Sequence, residues 1–131
     1  MTSFWRLLPA LAFLAAVAAV IVTVEDGGPH VPMNLLPVLL TGVLLVLALA
    51  KAGWQWRRPR WRYLLGAFGF AVPAIGLSLY LHLGLALDWG GMASRARTPD
   101  LLFRFLPWYT TGAGAIGFAI GWIIGRNIDQ E

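Results

Sequence analysis

Residues 4–24 read "FWRLLPALAFLAAVAAVIVTV": one arginine and one proline near the start, then no charged side chain from residue 7 to residue 24. A secretory signal peptide has an apolar region of about 7–15 residues ahead of a small-residue cleavage site. Here "AVA" at 16–18 supplies small residues, but "AVIVTV" carries the apolar run beyond them. The segment therefore reads as an uncleaved transmembrane helix, since a span needs about 20 mainly apolar residues. If 4–24 is a span, the rest of the chain must be read in the same solvent.

The composition agrees. Hydrophobic residues make up 59% of the 131 residues and charged residues only 12%, with a mean hydropathy of +0.71. Soluble domains carry about 25% charged residues. Three further apolar stretches follow: "MNLLPVLLTGVLLVLALAKAGW" at 33–54, "YLLGAFGFAVPAIGLSLYLHLGLAL" at 63–87, and residues 107–125. The expected fold is an all-α integral membrane protein, a single transmembrane domain over 1–131 with four spans. "DLLFRFL" ahead of Pro107 is either a short interfacial helix or the start of one continuous kinked helix. "TPD" at 98–100 is a helix-start signal, with Thr98 as N-cap, Pro99 at the first helical position and Asp100 near the positive dipole end. Asn34 reads as the N-cap of the second span and Pro37 as a first-turn proline. "EDGGPHVP" at 25–32 reads as a turn with both acids exposed.

Orientation follows from the basic residues. With the N-terminus inside, the cytoplasmic side collects Arg6, Lys51, Arg57, Arg58, Arg60, Arg62 and Arg126, against Arg95, Arg97 and Arg104 outside. Both termini are then cytoplasmic. Trp5, Trp54, Trp56, Trp61, Tyr63 and Trp122 form the inner aromatic belt; Trp89, Trp108 and Tyr109 form the outer one. One lysine beside nine arginines, with abundant Ala, Gly and Leu, fits a GC-rich bacterial genome, and so a bacterial inner membrane. Lys51, Arg57, Arg58, Arg60 and Arg62 read as an anchor for anionic lipid headgroups, at about 1 kcal/mol per basic residue, in preference to a nucleic-acid surface.

In the last span, Thr110, Gly114, Gly117, Gly121 and Gly125 fall within an arc of roughly 80° at about 100° per residue, while Ile116, Ile120, Ile123 and Ile124 occupy another face. Each glycine costs about 1 kcal/mol relative to alanine, so this tandem GxxxG stripe needs close packing in return. Its partner is a helix of the same bundle, with Gly66 and Gly69 of the third span the nearest match, or a helix of another chain. Pro73 cannot donate to the carbonyl of Gly69, so a kink is expected there.

Without cysteine, disulfides and thiolate metal sites are excluded. No Asp or Glu falls within any of the four spans, which argues against proton-coupled antiporters and rotor subunits. His82 is the one ionisable side chain placed inside the bilayer, with Ser78 one turn earlier on the same face. It reads as a haem ligand, a quinone donor or a proton relay, or else as a neutral histidine bonded to a neighbouring helix. His30, Glu25 and Asp26 lie on the same side of the membrane as His82 but have no metal-ligand spacing. No catalytic residue, cofactor or metal is expected. These features favour a small non-catalytic accessory or assembly subunit, packing through its glycine-rich helix against a membrane partner or itself. The alternatives are a homo-oligomeric channel or transporter, with Thr41, Ser78, Thr110 and Thr111 lining a path, and a redox subunit centred on His82.

Overall fold

In the computed structural model the described residues are 2–55, 57, 59–95 and 99–130, and all of their regular structure is helical. Four long helices, α1 (Thr2–Val24), α2 (Val31–Lys51), α3 (Trp61–Ala86) and α5 (Pro99–Asp129), are joined by short connections. The last connection holds a 3₁₀ turn, Trp89–Gly91, and a one-turn helix α4 (Met92–Arg95). Thr98, Trp56, Arg58 and Arg97 lie outside the described residues. Helix α5 starts at Pro99 and is unbroken to Asp129, so no separate interfacial helix precedes the last apolar stretch.

Helices α1, α2 and α3 are each long and apolar enough to cross a membrane. Only 22%, 39% and 33% of their most apolar windows are buried within the chain. Their remaining apolar side chains face outward, as the exposed Val43, Phe68 and Val72 show. Water would penalise such a surface, whereas lipid does not. The core is a thin seam of Leu7, Leu14, Val17, Ile21, Val38, Leu45, Leu49, Ala67 and Ile75 between α1, α2 and α3.

The tightest pair is α3 with α5. An added Cβ at Gly117 would fall onto the carbonyl of Gly69, one at Gly121 onto the carbonyl of Leu65, and one at Gly125 onto the backbone of Trp61 and Arg62. Gly114 accommodates the Phe70 ring and Gly66 the Phe118 ring. The rising numbers on one helix meet falling numbers on the other, so the two run antiparallel in close contact. The pairing runs on to His82, whose ring lies on that of Phe103, so from Trp61 to His82 the matched stretch of α3 is about 30 Å long at about 1.5 Å per residue. Pro73 removes the N–H that would bond the Gly69 carbonyl, and that carbonyl faces Gly117.

At the basic-loop end, the N-terminus of α3 follows Arg60, whose side chain makes no capping bond. The carboxylate of Asp129, on the last residue of α5, supplies the cap from outside. It accepts from the Trp61 N–H at 3.0 Å, the Arg62 N–H at 3.2 Å and the Arg62 Nε at 3.1 Å. Burial pulls its pKa upward, but the bonds from the Arg62 side chain and the two backbone N–H groups outweigh that and hold it below its ordinary value.

Candidate functional site

The site is built at the opposite end of the bundle, where α1 stops. Asp26 takes a left-handed φ of 52° and Gly27 one of 64°. The Gly27 N–H bonds the Val22 carbonyl at 3.1 Å and the Asp26 N–H the Thr23 carbonyl at 3.2 Å. This is a Schellman stop, and it leaves Glu25 as the last residue on the helix side of the turn. Asp26 is exposed, but Glu25 is not: its side chain is only 2% accessible. The expectation that both acids face solvent is overturned for Glu25, which follows the span of residues 4–24 and yet is enclosed. The apolar run and the Gly-Gly signal locate the turn correctly. What they cannot say is towards which neighbours the last residue before it points.

Glu25 meets His82. Glu25 Oε2 lies 2.7 Å from His82 Nε2, and His82 is fully buried. On its other side His82 Nδ1 lies 2.7 Å from the Ser78 carbonyl and 3.4 Å from Ser78 Oγ. The Phe103 ring of α5 stacks on the imidazole at a centroid distance of 5.2 Å. The sequence pairing of His82 with Ser78 thus falls inside this site, but Thr110 does not join it. Thr110 Oγ1 donates within its own helix, to the carbonyls of Leu106 at 3.1 Å and Pro107 at 3.3 Å.

Asn34 completes the cluster. It is not an N-cap: α2 begins at Val31 behind His30, and Pro32, not Pro37, occupies the first turn. From inside that turn the 1%-accessible Asn34 reaches across to α1 and α5. Its Nδ2 donates to Glu25 Oε1 at 3.2 Å, to Glu25 Oε2 at 3.0 Å and to the Phe103 carbonyl at 3.0 Å. The last acceptor has a sequence cause. Residue 107 is proline, so the helix cannot supply the N–H that would normally bond the carbonyl four residues earlier, and Asn34 takes the vacated place. Asn34 Oδ1 is buried with no hydrogen-bond partner among the described residues.

Four helices therefore converge on one carboxylate–imidazole–amide cluster. Its members lie close to the ends of their own apolar stretches, and that shared depth is the one sequence signal that could have grouped them. No set of three metal-ligating His, Asp or Glu side chains occurs among the described residues; Asp26 and His30 do not join Glu25 and His82 as a metal cluster. Thr41 Oγ1 donates to the Pro37 carbonyl of its own helix at 2.8 Å, while Thr111 Oγ1 is buried without a partner among the described residues.

Gly114, Gly117, Gly121 and Gly125 face α3, as do Gly66 and Gly69 from the other side. On one flank of that contact an apolar groove of about 400 Å³ opens, lined by Phe68, Gly69, Val72, Gly117, Ile120 and Gly121 among others. At the basic-loop end Lys51 Nζ lies 5.7 Å from the Tyr63 ring centroid, and the Arg62 guanidinium 5.9 Å from that of Trp122. Arg57 and Arg60 belong to the same connection and are exposed. No protein-family model, curated protein or solved structure matches this chain.

Proposed function

We propose that this chain is a small non-catalytic subunit that crosses a bacterial inner membrane four times, with both termini in the cytoplasm. On this reading it holds a transmembrane helix of a partner protein in the α3–α5 groove. The groove carries the reading. Its floor is glycine backbone and its walls are the exposed Phe68, Val72 and Ile120, the small-floored, apolar-walled surface against which a helix in lipid packs closely. A fourth span is supported by α5 lying antiparallel beside α3 for about 30 Å, the thickness of a hydrocarbon core: a helix so paired shares the depth of its neighbour. The orientation is supported by Lys51, Arg57, Arg60 and Arg62 clustering at one end, where they would also attract anionic headgroups. A non-catalytic role fits a site whose acid and imidazole are bonded to one another and enclosed.

Val72→Trp and Ile120→Trp, which fill the groove without touching the α3–α5 seam, are expected to abolish recovery of the partner in mild detergent while insertion is unchanged. The mass of the native complex distinguishes a partner protein from a second copy of this chain. An unaltered complex in both variants would sink the proposal.

A further inference from the structure

The Glu25–His82 pair makes a statement about protons that the groove does not. A backbone carbonyl can only accept, so the 2.7 Å contact to the Ser78 carbonyl puts a proton on His82 Nδ1. The equally short contact between Nε2 and Glu25 Oε2 requires a second proton between those atoms. Whether that proton sits on nitrogen, beside a carboxylate, or on oxygen, beside a neutral imidazole, the pair is neutral. The enclosure is nearly complete, with the two side chains 0% and 2% accessible, so nothing larger than a proton is admitted without moving a helix.

We propose that Glu25, His82 and Asn34 form a one-proton binding site, and that the bound proton holds α1, α2, α3 and α5 together at the end of the bundle opposite the basic loop. Removing the proton leaves a buried negative charge; adding another leaves a buried positive one. Either is costly without a partner, and each loosens the same helix ends. Asn34 tunes the site from α2, donating to the carboxylate through Nδ2. The groups facing the pair are Asn34 from α2, Ser78 from α3, and the ring of Phe103 from α5, whose carbonyl is bonded to Asn34. Of the ionisable neighbours in sequence, Asp26 and Arg104 are exposed and His30 is half-buried.

The test follows backbone amide protection of residues 25–34, corrected for intrinsic exchange, in full-length protein in zwitterionic nanodiscs. The scan runs from about pH 9 to about pH 4, bracketing ordinary imidazole and carboxyl values. In Glu25→Gln the remaining imidazole gains an uncompensated charge on acidification, so protection falls, on the order of a hundredfold. In His82→Gln the lone carboxylate is neutralised by acid, so protection rises. In the double variant the pH dependence disappears. Slopes of the same sign in the two single variants, or none in either, would overturn the proposal. So would ¹⁵N spectra of the wild-type protein showing His82 Nδ1 without a proton, a readout that needs no variant to fold.

Discussion

At the scale of single residues, proline and asparagine do related work at a distance of 73 positions in sequence. Pro107 strips the Phe103 carbonyl of its helical donor, and Asn34 supplies another at 3.0 Å. Asn34→Ala should therefore cost about 1–3 kcal/mol, the usual penalty for leaving buried polar groups unpaired. Pro107→Ala returns an N–H to the same carbonyl. Combined with Asn34→Ala it should recover part of the loss, a coupling of about 0.5–3 kcal/mol, measured by reversible unfolding in mixed micelles. Strict additivity would mean that the two residues do not share the carbonyl. Both residues are legible in the sequence, and so is the missing N–H of Pro107. That Asn34 answers it is not, because nothing local to residue 34 reports the position of α5.

At the scale of the helix, the glycines of α5 have unlike surroundings. Gly117 and Gly121 have backbone of α3 where a Cβ would be, whereas Gly112 has open space. Gly112→Ala should stabilise by up to about 1 kcal/mol through helix propensity alone. Gly117→Ala and Gly121→Ala should instead force α3 and α5 apart and destabilise the isolated chain, seen as a lowered unfolding midpoint. A neutral Gly117→Ala would contradict the close seam. The angular stripe was readable at about 100° per residue. Which surface covers it was not, since any helix with small residues satisfies the same pattern.

At the scale of the molecule, the bundle is tied at both ends by carboxylates the sequence leaves inconspicuous. Glu25 ties α1 to α2 and α3 at one end, with Asn34 carrying the link to α5; Asp129 caps α3 from the last turn of α5 at the other. The pKa of Asp129 is lowered by the fold, so its contribution is fully present above the ordinary value of 3.8 and is lost as the pH falls through the lowered one. Amide exchange at Trp61 and Arg62, corrected for intrinsic rates, should accelerate only below about pH 4. In Asp129→Asn, which keeps an acceptor oxygen but no charge, that acid step should vanish. An unchanged step would assign it elsewhere.

Composition and the lengths of the apolar runs determine that the chain is helical and apolar enough for lipid, because a backbone in hydrocarbon must bond within its own helix. Periodicity determines that the glycines share a face. Only the tertiary structure decides that α3 covers them, that Asp129 serves a helix other than its own, and that Glu25 turns inward to His82. Contacts between residues 25 and 82, or 61 and 129, depend on how whole helices pack, and a local reading of sequence has no access to that geometry.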